Sequence, residues 1–301
     1  MTYLILLLIG MLLWPNHAQG AQPVRIGVWS FNIIATMLLK EAQDRGFYER
    51  HGVRLEFEIV RRDADLVAGL RSGSLDVIPV AMGSGLPFAI AAGSPLRSVF
   101  VLTDYPDNYL VSKHTSLEAV QGKRIGSATS GTVLERVLSE ALRERGVTAE
   151  LVPFDLSGPR IAALRTGALD AAVVSLLYWT KLQSEGYTLL VSAEEMQPLS
   201  TYGLAVNAKD LQAPWVRGMV RGTLDALRWY HTDPEGARSM ISRYGELTAE
   251  QASSAYTRSQ AMVSRTGVLP ESRIRAALRV LGVALEPHAL FDFSWLQGDR
   301  R

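Results

Sequence analysis

Cysteine is absent from the 301 residues, which removes disulfides, thiolate metal sites, cysteine nucleophiles and a lipid-bearing amino-terminal cysteine together. That absence does not decide the compartment. Histidine is scarce as well: His17, His51, His114, His231 and His288 are scattered, with no second histidine or acid at ligand spacing, so no metal site is expected. An excess of one charge is missing too. Lys and Arg number 31 against 30 Asp and Glu, in no long single-sign block, so neither nucleic acid nor an acidic membrane surface is indicated as a partner. No nucleophile elbow, lysine-bearing phosphate loop or dinucleotide fingerprint occurs, while spacing alone leaves a Ser-His-Asp constellation open.

What is present suits a folded chain of one large or two medium domains, with 48% apolar and 20% charged residues. Tyr3 to Trp14 is an unbroken apolar run, too short to span a bilayer comfortably, followed by the small-residue stretch Ala18-Gln19-Gly20. Residues 1–20 therefore read as a secretory signal peptide cut before Ala21, which places the mature chain in the periplasm. No Lys or Arg precedes the run, a departure from the usual pattern; an uncleaved anchor and a misplaced start codon are the alternatives.

The chain repeats itself. Residues 160–175, with Leu164-Arg165-Thr166-Gly167-Ala168-Leu169-Asp170 at their centre, echo residues 66–80, with Leu70-Arg71-Ser72-Gly73-Ser74-Leu75-Asp76. In each copy an apolar-periodic helix ends in a glycine suited to the left-handed cap, and a β-rich run follows. Ahead of each lies a strand start, Arg25-Ile26-Gly27 and Arg124-Ile125-Gly126, so the chain holds two similar α/β halves.

In order, strands are expected over 24–29, 54–60, 76–81, 96–103, 125–126, 150–154, 189–192 and 203–207, and helices over 33–46, 86–92, 133–145, 176–186, 214–230 and 234–244. Residues 109–111 read as a polar turn, 248–282 as a helical hairpin, and 291–296 as a terminal apolar anchor. Asp104 to Asp107 and Pro198 to Tyr202 look like two crossovers between the halves.

The paired helix-glycine-strand units, the strand starts at Arg25 and Arg124, and the 214–230 helix followed by Asp233-Pro234-Glu235-Gly236-Ala237 resemble the substrate-binding proteins of ABC importers. More narrowly they are similar to the group handling alkanesulfonates, nitrate, taurine and the thiamine pyrimidine precursor. The resemblance covers nearly the whole mature chain. It implies the α/β, two-lobed type II periplasmic binding protein fold, with two crossover strands and the C-terminal helices packed on the first lobe. Lobe 1 is expected at 24–104 and 203–301, lobe 2 at 105–202. It also implies a monomer that closes on a small-molecule ligand and serves an inner-membrane ABC permease, without cofactor, metal or nucleic acid.

In open α/β sheets ligands sit beyond the carboxyl ends of the strands, at helix N-termini. Four such loops supply the candidate ligand-binding residues: Trp29, Ser30, Phe31 and Asn32; Gly83, Ser84 and Gly85; Thr129, Ser130, Gly131 and Thr132; and Ser175, Tyr178 and Trp179. Tyr105 and Tyr202 join them from the crossovers. These loops lack Lys and Arg, so an anion would be held by helix-start amides and hydroxyls without a buried cation, whereas the aromatics suit a flat heterocycle. The bland readings are N-capping for Thr129 or Ser130, mere turns for the glycines, and core packing for the aromatics. Asp76 and Asp170 occupy equivalent positions in separate repeats and read as structural strand-start residues. An enzyme on the same scaffold, of pyrimidine or menaquinone-pathway type, and a ligand-sensing module for a membrane kinase are the alternatives to transport.

Overall fold

A computed structural model of the chain describes residues 20–130, 132–154, 156–196 and 200–297. The expected signal peptide, apart from Gly20, lies outside the described residues, as does Gly131. The first half contains β1 (Gln22–Val28), α1 (Ile34–Asp44), β2 (Val53–Ile59), α2 (Asp63–Ser72), β3 (Val77–Ile78), α3 (Leu86–Ala91) and β4 (Leu96–Val101). The second has β5 (Tyr109–Ser112), β6 (Arg124–Ala128), α4 (Val133–Glu144), β7 (Glu150–Phe154), α5 (Ser157–Arg165), β8 (Ala171–Val174), α6 (Leu176–Ser184) and β9 (Thr188–Val191). β10 (Gly203–Asn207) then precedes α7 (Pro214–Thr232), α8 (Pro234–Gly245), α9 (Ala249–Met262), α10 (Glu271–Leu281), α11 (Pro287–Leu290) and α12 (Ser294–Gln297).

The strands form two five-stranded mixed sheets of the same design, β2-β1-β3-β10-β4 and β7-β6-β8-β5-β9. In each, three strands run parallel and the fourth in the order is antiparallel to its neighbours. That antiparallel strand is the one the chain builds on arriving from the other half: β5 after the first crossover and β10 after the second. The two crossovers run side by side, with the Leu102 and Thr103 amides donating to the Tyr202 carbonyl at 3.0 and 3.3 Å.

Two expectations change. Residues 109–111 belong to β5, a strand and no turn: all four residues of β5 are buried, so the strand lacks the alternation that marks a half-exposed one. Ser112 is the polar member, and its hydroxyl donates to the Asp170 carbonyl at 2.6 Å. Conversely, the strand expected over 76–81 shrinks to β3, because Pro79 has no amide to donate to a ladder.

The C-terminal helices pack on the first sheet's helices, α7 and α8 against α1, and they reach further than that: α9 lies on α6 and α10 on α4. Accordingly, each of the two buried apolar clusters draws residues from both halves. The terminal anchor is seated by a bridge between Phe291 and Ser98, with Leu296 buried.

Candidate functional site: a cleft beyond the strand ends

β1, β3, β6 and β8 end in the loops singled out from sequence, and Tyr202 of the second crossover lies among them. The Trp29 ring meets Tyr202 edge-on, centroids 5.8 Å apart and planes at 83°. Trp29 Nε1 donates to Asp63 Oδ1 at 2.7 Å, at the first residue of α2. Burial raises the Asp63 pKa, against the opposing effect of hydrogen bonds from Trp29 and Ser84. Ser84 takes φ +48°, a left-handed conformation a non-glycine residue holds only when its surroundings impose it.

Across from this wall stands a residue that sequence reasoning passed over. Arg160 of α5 is 6% exposed; its Nη1 donates to the Ser127 carbonyl at 3.0 Å and Nη2 to Ser157 Oγ at 3.2 Å. Its Nε is buried without a partner. Among the described residues no carboxylate acts on it; the groups whose fields reach it are the Tyr178 and Tyr202 phenols, and burial lowers its pKa to about 10. A guanidinium so placed stays protonated at neutral pH. This buried cation comes from a helix and not from the loops, and it sits at the carboxyl end of β6.

Asp107, in the first crossover, is 2% exposed. Its Oδ1 accepts from the Leu176 amide at the start of α6 at 2.7 Å, its Oδ2 is buried without a partner, and burial pushes its pKa up to about 6. The Tyr202 hydroxyl is held protonated by burial and by Asp107 and Asp63, against the pull of Arg160, so three charged side chains act on one phenol.

Towards solvent the space between the halves is a cavity of about 150 Å³ lined by Asn32, Leu177, Tyr178, Lys181, Tyr244, Gly245 and Glu246. Glu246 has φ +50°; with Ser84 it makes the pair of non-glycine residues at positive φ among those described. Lys181 of α6 and Glu246, the residue that caps α8, line this cavity from opposite halves.

The other expected residues divide. Ser30 donates to the Asn32 side chain, tying that loop together. Phe31 packs on Phe57 and Tyr244, with centroids at 5.2 and 6.5 Å, a packing role for its ring. Gly83 lets the chain pass the Thr201 carbonyl, 3.1 Å from where a Cβ would be, and Gly85 caps α3 at φ +76°. Thr129 and Ser130 are exposed, and α4 is capped by Thr132, whose Oγ1 accepts from the Glu135 amide at 3.3 Å. The capping anticipated in this loop is real but falls two or three residues later than expected. Ser175 begins α6 with a buried, unpartnered hydroxyl. Tyr178 lines the cavity; Trp179, 3% exposed beneath the Arg258 guanidinium of α9, packs between helices. Tyr105 lies under Arg273 of α10, 4.8 Å from guanidinium carbon to ring centroid.

Asp76 and Asp170 are structural. Asp76 takes the Arg25 guanidinium and backbone amide, and Asp170 the Arg124 amide, tying the segment after α2 to β1 and the segment after α5 to β6.

Comparison with known proteins agrees with this architecture. The family model described as NMT1/THI5 like matches residues 35–237. The chain belongs to the NMT1/THI5-like family. Curated proteins compared by sequence give no match. Among solved structures, the alkanesulfonate-binding protein SsuA from Xanthomonas axonopodis pv. citri bound to MOPS is similar at 17% identity and TM-score 0.72, over 91% of this chain and 99% of that one. The Candida albicans CA3427 gene product, described as exhibiting the generic periplasmic binding protein structural fold, is 16% identical at TM-score 0.67, over 89% and 92%. The periplasmic nitrate-binding protein NrtA from Synechocystis PCC 6803 is 11% identical at TM-score 0.61, over 77% of this chain and 69% of that one. The fold of this family member is thus the two-lobed α/β periplasmic binding protein fold.

Proposed function

We propose that the protein is an extracytoplasmic solute-binding receptor that closes on a small organic solute and delivers it to an ABC importer. Its solute is sought among sulfonates, nitrate, taurine and thiamine-precursor-like pyrimidines. The observation that carries the reading is Arg160, a buried guanidinium with no carboxylate acting on it among the described residues, held at the carboxyl end of β6 in a chain whose two sheets are joined by paired crossovers. A buried charge without a counter-charge is costly, and a binding protein recovers that cost when the ligand brings one. The same crossovers suit a hinge about which a first lobe (24–104 and 203–301) and a second (105–202) turn. The printed names of structural relatives, alkanesulfonate-binding and nitrate-binding, point the same way. In this reading the protein is a periplasmic monomer, exported by its amino-terminal segment, and binds without chemistry: Asp63 is engaged by Trp29 and Ser84, and Asp107 by the Leu176 amide, as acceptors.

The test is a thermal-melting panel of sulfonates, nitrate, taurine, amino-pyrimidines and related heterocycles, with the compounds assayed afterwards for change. A ligand-dependent rise in Tm with the ligand recovered intact is expected. Turnover at substoichiometric protein would show an enzyme instead.

A further inference from the structure

Two short faces bound the cavity between the halves, and each carries one charge. On the second half α6 supplies Leu177, Tyr178 and Lys181; on the first, Tyr244, Gly245 and Glu246 form the corner where α8 ends. That corner reverses the usual order at a helix exit. A left-handed cap favours glycine, yet the glycine here comes one residue early, still helical, and Glu246 takes the left-handed position at φ +50°. Gly245 is explained by close approach, since a Cβ there would fall 3.3 Å from Leu177 Cδ1 on the facing helix. Nothing in its own half accounts for Glu246. Its amide donates to the Ser242 carbonyl, as any residue's would, and its carboxylate has no hydrogen-bond or ion-pair partner among the described residues.

Lys181 stands likewise on the other side. The acid four residues on, which could pair with it along the helix, is Glu185, and Glu185 is taken by Arg165 Nε at 2.9 Å. The Lys181 ammonium is therefore also without a partner among the described residues. Both supporting segments are held in place. Tyr244 donates to Asp44 Oδ2 at 2.8 Å, Arg243 pairs with the buried Glu41, and α6 is tied to α9 by Arg258, which donates to Gln183 Oε1 at 3.4 Å.

We propose that Lys181 and Glu246 join as an ion pair across this cavity when the halves close over a solute, and that the pair retains it. This rests on the receptor reading and adds the groups that set how long the cleft stays shut. Exposed ion pairs are weak because water competes for both charges and long side chains lose freedom. Here the backbones are already held and closure removes water from between the charges, so the pair contributes in the closed arrangement and little in the open one. A lysine that instead held a solute's own anionic group would make Glu246 a hindrance, since a carboxylate beside it repels the anion. The two roles predict opposite effects of removing Glu246.

The experiment is stopped-flow dissociation, followed by tryptophan fluorescence, of propanesulfonate, nitrate, taurine or 4-aminopyrimidine, each used where it raises the Tm. The proteins are the wild type, Lys181→Met, Glu246→Gln, Lys181→Glu, Glu246→Lys and the exchanged Lys181→Glu/Glu246→Lys. Each neutral replacement should speed release by about 2- to 5-fold, the range of one ion pair at a solvent edge. Each single reversal should speed it further, and the exchanged protein should return to within about 2-fold of the wild type. Unchanged rates, slower release from Glu246→Gln, or single effects that simply add in the exchanged protein would overturn the pair and leave the receptor reading standing. A second arm needs no solute. The chain has no cysteine, so in Lys181→Cys/Glu246→Cys a short bis-maleimide meets two thiols. One linker joining both, read by intact mass, is expected; two linkers on separate thiols would overturn the pair. No binding of any probe, with no small molecule recovered from natively purified protein by mass spectrometry, would overturn both the pair and the receptor reading.

Discussion

Leu66 and Arg160 occupy the same place in two copies of one unit. In the first copy a Cβ on Gly27 would fall 2.7 Å from Leu66 and 2.6 Å from Leu75; in the second a Cβ on Gly126 would fall 2.9 Å from the Arg160 stem and 2.6 Å from Leu169. Helix, strand and close approach are therefore alike, and the stem of Arg160 fills the space Leu66 fills. What differs is what lies beyond the stem: nothing in the first copy, a guanidinium at the carboxyl end of β6 in the second. One half keeps a packing position as hydrocarbon, while the other turns it into a charge on which no carboxylate acts among the described residues.

The comparison breaks most sharply if the two residues are exchanged separately. Leu66→Arg buries a cation with no site built for it and should destabilise by about 3–5 kcal/mol in denaturant titration, whereas Arg160→Leu should leave stability unchanged or raised. Similar losses in both variants would show that Arg160 is a stabilising core residue.

Asp107, in the first crossover, offers the next largest effect. Its pKa is raised from an ordinary 3.8 to about 6 by burial, so between those values the folded chain holds a proton that the unfolded chain has lost. Stability should accordingly fall as pH rises through that window, by about 3 kcal/mol, and level off above it. Asp107→Asn should flatten that part of the stability-pH curve; an unchanged slope would place the titration elsewhere.

The smallest effect sharpens the structural side of the pairing. Burial tends to raise the Asp76 pKa, but the hydrogen bonds and charge of Arg25 hold it below the carboxylate range, so its contribution is present above that range and lost as pH falls through it. Asp170 accepts the Arg124 amide at 3.2 Å and has Lys123 and His114 at 3.5 and 3.6 Å, a looser set than the Arg25 fork. Asp76→Asn should therefore lower Tm more than Asp170→Asn does, with ligand affinity unaffected by either; a changed affinity would give these residues more than a structural role.

Much of the fold was legible because repeats and periodicity are local signals. β7 and β10 occur over the expected residues, and α7 and α8 begin at the prolines that mark their first turns. β5 was not legible, since a strand buried on both faces and only four residues long carries no alternation. Loop composition singled out Trp29, Ser84 and Tyr178, and the crossover reading Tyr202; Tyr178 lines the cavity, Trp29 meets Tyr202 edge-on, and Ser84 and Trp29 act on Asp63. It passed over Lys181, which lines the cavity from α6, and the buried or half-buried charges Arg160, Asp63 and Asp107, which sit on helices or in a crossover and are brought near the loops by tertiary packing. A signal for Arg160 was nonetheless available: laid against the first repeat, it is the one buried-stripe position where an aliphatic side chain is replaced by a cation.

The Nε–H resonance of Arg160, assigned by its disappearance in Arg160→Leu, reports on the central claim most directly. Followed by NMR during titration with an anionic compound of the melting panel that raises the protein's Tm, it should shift and exchange more slowly with water as its unpartnered proton acquires an acceptor. A resonance unmoved at saturation would mean that the ligand's negative group is held elsewhere.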